Sequence, residues 1–356
     1  MPRVWEVPVH DSTRVRDARV AAEHAAAVAS LDEPRTAVAS LVATELATNL
    51  LKHAGGGQVL IEVVAPPVLA AGVDVLPVVQ IAAVDHGPGI ADVGAALGDG
   101  FSTAGSLGAG LGTCRRIADD FELHSAPGRG TVALARVGAA VRPAGRPAPE
   151  SEPALRVRAG GVNVPFGGAE YSGDAWAWVR SGDRATLMLA DGLGHGPEAA
   201  RASTAAVDAL RGAAGLPPGE ALRRLDGALA GTRGAAVAVA QVDLAAGRLR
   251  FAGIGNIGAR LCEAGVWRPL VSRPGIVGVH RPGTLREEQT AWGDDHLLIL
   301  HSDGLPSRWT PPPEACRPGI DPAVTAAVTV RDASSSARPV RDDTAVAVLA
   351  SNPAGR

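Results

Sequence analysis

The sequence predicts an α+β protein of two domains: a helix-and-sheet layer followed by packed sheets flanked by helices. Three observations predict it. The chain has 356 residues, enough for two domains of roughly 100–200 residues each. Residues 138–154 are rich in Pro, Ala and charge and lack a hydrophobic period, so they read as a semi-stiff linker. This places the domains at 1–137 and 155–350 and suggests that their cores are independent. Periodicity also changes across that linker, from helices followed by strands to many strands with few helices.

Composition supports folded cores and excludes several function classes. Hydrophobic residues make up 46% of the chain and aromatics only 3%, so aliphatic and Ala packing must dominate. The 44 Gly and 27 Pro have no period, which rules out collagen. A net charge of −3 gives no reason to expect nucleic acid or a membrane as partner. Cys114, Cys262 and Cys316 are widely spaced and odd in number, so neither a zinc site nor a disulfide framework is expected, which fits a reducing cytoplasm. The first residues lack the apolar stretch of a signal peptide. No run approaches the ~18 apolar residues of a membrane helix.

In the first half, 12–30 and 34–53 read as helices. The second carries Val38, Leu41, Val42, Leu46 and Leu50 at helical spacing and ends at Gly55-Gly56-Gly57. Strands follow at 58–64 and 78–84. A helix over 111–120 opens on a Gly-rich loop, and 121–125 with 131–137 form a hairpin. In the second half, strands are predicted at 155–164, 174–179, 185–190, 235–243, 248–254, 257–263, 296–301 and 344–349. Helices are predicted at 197–212, 218–230 and 322–330.

Glu45 and Asn49 lie on one predicted helix, one turn apart on the same face. Asn49 can give an oxygen to Mg²⁺, and Glu45 can act as general base. Alone, such a pair is also what a solvated helix face carries. Asp85 ends an apolar strand before His86-Gly87-Pro88-Gly89. There a carboxylate can accept from an adenine amino group, and the glycines let backbone approach the base. The loop from Gly105 through Gly108, Gly110 and Gly112 runs into a helix, offering N–H groups to a triphosphate. No Gly-Lys-Ser/Thr follows, so it is not a Walker loop.

Taken together, Glu45–Asn49, Asp85–Gly89, Gly105–Gly112 and Gly130-Thr131 resemble the N box, the two glycine boxes and the terminal Gly-Thr of the GHKL ATPase superfamily. The stretches 45–57 and 99–108 look most like the RsbT-like switch kinases of bacterial partner switching. The resemblance covers roughly residues 8–137. It implies a Bergerat-type α/β sandwich, MgATP binding with Thr131 in the ATP site, and phosphorylation of a serine on a STAS-domain protein. Sensor histidine kinases add a dimerisation domain, for which the residues before this N box leave no room, and His24 reads as a surface residue. One departure is Gly112-Thr113-Cys114, where a Pro is expected near the helix start.

In the second half, Asp174 opens a predicted strand, Asp191 and Asp303 end strands, and Asp342-Asp343 precedes the last one. Asp191 and Asp303 are each followed by Gly. Carboxylates gathered at strand ends can hold two hard cations that acidify a bridging water. An isolated Asp-Gly is ordinarily a turn. The segments 189–196, 253–258, 301–304 and 341–346 resemble the RsbX- and SpoIIE-like branch of the metal-dependent Ser/Thr phosphatases, over about 155–350. That implies a phosphatase β-sandwich flanked by helices, with Mn²⁺ or Mg²⁺ held by Asp174, Asp191, the Gly192 carbonyl, Asp303 and Asp342. Asp342 is preferred to Asp343 as the first acidic residue of the closing motif. His195 and Asn256 read as turn residues, and Arg115, Arg129 and Arg341 as surface charges.

These resemblances imply a cytoplasmic, bifunctional partner-switching regulator that adds and removes a phosphate. The alternative is an anti-sigma factor, with ATP-dependent sigma binding, fused to a regulatory phosphatase.

Overall fold

The computed structural model describes residues 3–69, 76–97, 110–139, 157–316, 319–334 and 340–351. Most of the predicted linker, together with Gly105 and Gly108, lies outside the described residues.

The first half holds β1 (Val4–Val9), α1 (Thr13–Val28), α2 (Glu33–Asn49), β2 (Gly57–Val64), β3 (Val78–Val84), α3 (Val93–Ala96), α4 (Gly110–Ile117), β4 (Asp120–Ala126) and β5 (Gly130–Gly138). Asp32 caps α2 by accepting from Arg35 N, with Pro34 in the first turn. The helix predicted to reach residue 53 changes at Leu50 into a π-turn over Leu50–Ala54, which Gly55 ends at φ +72°. The strands form an antiparallel sheet ordered β1-β2-β3-β5-β4. The edge strand β1 comes from an N-terminal stretch for which no strand was predicted.

The second half holds β6 (Val157–Val164), β7 (Asp174–Ser181), β8 (Arg184–Gly192), α5 (Pro197–Arg211), α6 (Pro218–Leu229), β9 (Ala235–Asp243), β10 (Arg248–Ile254) and β11 (Gly258–Glu263). It continues with β12 (Val266–Leu270), β13 (Glu288–Ala291), β14 (Leu297–His301), α7 (Pro322–Ala333) and β15 (Thr344–Ser351). Two five-stranded sheets, β13-β10-β9-β8-β7 and β12-β11-β14-β15-β6, enclose a core that includes Leu187, Leu189, Phe251, Leu298 and Leu300. α5 and α6 cover the outer face of the first sheet through Leu210, Leu222 and Leu225. The predicted helix-flanked sandwich is therefore present, with the short strands β12 and β13 added.

The cores of the two halves are not independent, contrary to the expectation from the linker. Period-two alternation along β2 and β3 sends Val59, Ile61, Val79 and Ile81 toward α1 and α2. It sends Leu60, Ala82 and Val84, with Val132 and Leu134 of β5, into one cluster with Val324, Ala327 and Val328 of α7. α7 therefore lies between the first-half sheet and the β6–β15 sheet. Buried polar contacts fix the docking. Arg136 makes a bidentate pair with Asp321 at 2.8 and 2.9 Å, and Asp321 also accepts from Arg158 at 2.7 Å. Gln80 Nε2 donates to Gly161 O at 2.9 Å.

A second correction concerns the cysteines. Cys262 and Cys316 are joined in a disulfide, and Cys114 is free and buried. The pairing joins residues 54 apart, a distance over which spacing carries no pairing signal. No described helix is long and apolar enough to cross a membrane.

Candidate functional site

In the first half, α2 delivers Glu45 and Asn49 to one face, as predicted. Both point at the N-terminus of α4: a Cβ on Gly110 would stand 3.1 Å from Asn49 Oδ1 and 3.5 Å from Glu45 Oε2. Glycine is thus what lets these side chains reach the helix start. A cleft of about 580 Å³ opens there, lined by Asn49, Asp85, Gly89, Gly110, Gly112 and Thr131 among others. Asp85 is 7% exposed, and its Oδ1 accepts from Gly87 N at 2.8 Å and Thr131 N at 3.1 Å. Burial raises its carboxyl above the usual value, against the lowering effect of those two N–H groups. Gly89 and Gly130 adopt φ +73° and +90°. A Cβ on Gly130 would overlap Asp85 O at 2.0 Å, so only glycine lets this strand end lie against Asp85.

These residues fit a magnesium nucleotide. Asn49 Nδ2 is buried without a hydrogen-bond partner among the described residues, beside an open cleft and a helix N-terminus. Cys114, in the Gly112-Thr113-Cys114 stretch where a Pro was expected near the helix start, packs in the core. Its thiol is pushed up to about 12 by burial and, secondarily, by Glu45, which disfavours the thiolate.

In the second half, strand register brings the aspartates together. Asp174 and Asp191 are direct cross-strand partners on β7 and β8, a placement in which like charges repel. Asp174 is 1% exposed, and its Oδ2 has no partner among the described residues. Its carboxyl is pushed well above the usual range by burial, then by Asp191, Asp343 and Asp303. Asp191 rises to about 7 through burial, then Asp303, Asp342 and Asp343. Asp303 is also raised, by burial and then Asp342. No three His, Cys, Asp or Glu side chains among the described residues converge as a ready-made shell around one ion. What the structure supplies is an oxygen-only set within mutual coulombic reach, and that chemistry fits hard divalent cations.

Asp342 and Asp343 differ. Asp343 is buried, and its two oxygens accept from Phe166 N at 2.8 Å and Gly173 N at 2.7 Å. Asp342 is exposed, with Oδ1 accepting from the next amide, Asp343 N, and its side chain making no other hydrogen bond among the described residues. Gly192 is held by its N–H to Gly173 O at 3.0 Å, and a Cβ there would meet Ala199 O at 2.2 Å.

Several residues at this site escaped sequence reasoning. Asn256 Nδ2 donates to Asp303 Oδ2 at 2.7 Å, a function beyond turn formation. Asn163 Nδ2 donates to Asp174 O at 2.7 Å. Arg233 is exposed over the loop after Asp191, its Nη1 3.1 Å from where a Cβ on Gly194 would stand. His195 sits in that exposed turn. Arg129 is not a free surface charge: it pairs with Asp332 and Glu314 of the other half.

Comparison with known proteins divides the chain as the structure does. Residues 9–136 match the histidine kinase-like ATPase domain, and 181–350 match the stage II sporulation protein E family, SpoIIE. The serine/threonine-protein kinase RsbT of Bacillus subtilis is 44% identical over 88 residues, 25% of this chain and 61% of RsbT. The chain thus spans less than two thirds of that relative. A chain from a bacterial stressosome system adapted to control secondary messenger signalling is 28% identical, with a TM-score of 0.49, covering 55% of this chain and 99% of that one. RsbX, in a crystal structure with magnesium, is 18% identical with a TM-score of 0.48, covering 56% of this chain and 98% of its own. The chain therefore joins a segment that matches the histidine kinase-like ATPase domain to one that matches the SpoIIE family.

Proposed function

We propose that this chain is a bifunctional partner-switching regulator, with a protein serine/threonine kinase in its first half and a metal-dependent phosphoserine/phosphothreonine phosphatase in its second. The substrate of the first is a serine or threonine hydroxyl on a STAS-domain protein. Glu45 takes the proton from that hydroxyl, and Asn49 and the start of α4 hold the magnesium triphosphate. Asp85, fixed by two N–H groups, orients the adenine. The location is cytoplasmic, where MgATP is supplied.

In the second half, Asp174, Asp191, the Gly192 carbonyl, Asp303 and Asp342 would hold Mn²⁺ or Mg²⁺, whose chemistry would be to lower the pKa of the attacking water. Asn256 orients Asp303, and the amides of Phe166 and Gly173 keep Asp343 in place. Gly105 and Gly108 complete the phosphate loop in this reading.

One observation carries the proposal. A cleft lined by Asn49, with Glu45 one turn away at the start of α4, shares its chain with a cross-strand aspartate pair whose like charges repel. The 44% identity to a serine/threonine kinase over 88 residues supports transfer over simple sigma-factor binding. Incubating the purified chain with labelled ATP and a STAS-domain protein tests it. Acid-stable phosphoserine or phosphothreonine on the partner is expected. An acid-labile phosphohistidine, or a co-purified sigma factor with no transfer, would overturn it.

A further inference from the structure

We propose that Arg331, which belongs to the second half, is a positioning residue of the nucleotide site: the last turn of α7 clamps the loops on both sides of Asp85, so adenine recognition in the first half depends on the docked second half. This rests on the reading that the first-half cleft binds ATP.

Two loops determine where the Asp85 carboxylate points. One is its own, running into His86-Gly87. The other is the start of β5, where Thr131 N donates to Asp85 Oδ1 and Asp85 N donates to Thr131 O at 3.0 Å. The end of α7 holds both. On the first loop, His86 Nε2–H donates to Arg331 O at 2.9 Å and to Ser334 O at 3.1 Å. These are carbonyls at a helix C-terminus, which need partners. On the second loop, Arg331 Nη1 donates to Gly130 O at 3.3 Å. Arg129, the residue before Gly130, pairs with Asp332. Three successive residues of one loop and one residue of the other are thus fixed to a single helical turn or to Asp85 itself.

Arg331 is fully buried, 0% exposed, and burying a guanidinium is costly unless its bonds are met. Asp332 meets part of that need at 2.9 Å. The charge also acts on the nucleotide site, because Arg331 lowers the Asp85 carboxyl against the effect of burial. A simple C-terminal cap needs no such burial, since an exposed Lys or Arg serves as well. The geometry therefore assigns Arg331 to holding Gly130 against Asp85, with α7 as the rigid support.

The test is nucleotide binding by the full chain with Mg²⁺, measured by calorimetry for ATP and for GTP. Asp85 reads the adenine amino group, which guanine lacks at that position, so a displaced carboxylate loses discrimination rather than phosphate binding. Arg331→Gln should lower the ATP-over-GTP preference about tenfold, within the usual range of inter-site coupling, and Arg331→Lys should recover part of it. If Arg331→Gln does not fold, Arg129→Gln loosens the same loop from the half-exposed side and should lower the preference by a smaller factor. A wild-type chain that does not prefer ATP would sink the ATP reading itself. A wild-type preference retained in the variants would sink the inference alone. Parallel losses for ATP and GTP would also overturn it, since they would make Arg331 merely structural.

Discussion

Asp85 and Asp174 are both buried aspartates at the end of a strand, yet their surroundings are opposite. Two backbone N–H groups bind Asp85 Oδ1, and the guanidinium of Arg331 lowers its carboxyl against the effect of burial. Asp174 faces Asp191 across the ladder, keeps an unpartnered oxygen and feels Asp343 and Asp303 as well. The difference teaches what each site is built to meet. A carboxylate satisfied by amides is held in one orientation, which suits the proposed reading of a neutral hydrogen-bond donor. A carboxylate set against its like is a standing repulsion, which a bound proton or a bound cation relieves.

The largest expected effects break the second site. Asp191→Asn and Asp303→Asn should each lower phosphate release from a phosphoserine protein by about a hundredfold or more, since each disturbs the ion and its water. A chelator should do the same to the wild-type chain. Full activity in Asp191→Asn, or hydrolysis unaffected by the chelator, would reduce the acidic cluster to a set of turns.

The first site should respond more gently. Asn49→Ala and Asp85→Asn each remove one contact of about 1–2 kcal/mol, and so should weaken MgATP binding by roughly tenfold in calorimetry. Undiminished affinity in both would remove the basis for the comparison. Because the halves share a core through α7, these measurements belong on the full chain.

A finer contrast lies inside the second site. Asp342→Asn should cut turnover while leaving thermal stability nearly unchanged, because Asp342 is exposed. Asp343→Asn should instead lower stability by about 1–3 kcal/mol, since its NH2 cannot accept from one of the two N–H groups, of Phe166 and Gly173, that the carboxylate satisfies. Thermal melts and rates on the same two samples separate the roles. The reverse pattern would exchange the ligand assignment.

The smallest effect on activity, a change in stability alone, tests the surface between the halves. Glu62 is buried there, and burial pushes its carboxyl from 4.5 up to about 8. Between those values the unfolded chain gives up a proton that the folded one keeps. Stability therefore falls as pH rises through that window, by an amount on the order of a few kcal/mol. Glu62→Gln should flatten this slope and raise the melting temperature near pH 8. An unchanged slope would show that Glu62 is not the group responsible.

Much of both sites was legible because their chemistry is local in sequence. Glu45 and Asn49 declare themselves by helical spacing, and Asp174, Asp191, Asp303 and Asp342 by ending or preceding apolar strands. What brings Asp174 opposite Asp191 is hairpin register, which short β7–β8 turns make readable. The domain contact was hidden because Arg136 and Asp321 are 185 residues apart, and no spacing encodes such a pair. One signal was available. β2 and β3 are apolar at successive positions, as in Val59-Leu60-Ile61, and continuous apolar strands are buried on both faces. That pattern called for a second covering layer, which α7 provides. The linker masked it by suggesting separation. Cys262–Cys316 and the π-turn after Asn49 left no comparable trace.

The central claim is that one chain both places and removes a phosphate, and a single time course tests it most directly. The full chain, a STAS-domain protein and a limiting amount of labelled MgATP are mixed, and label on the partner is followed with Mn²⁺ present. The account predicts that label rises and then falls as ATP runs out, stays high in Asp191→Asn, and rises roughly tenfold more slowly in Asn49→Ala, as its weaker MgATP binding requires. Label that rises as fast in Asn49→Ala as in the wild-type chain, or falls equally fast in Asp191→Asn, would contradict it.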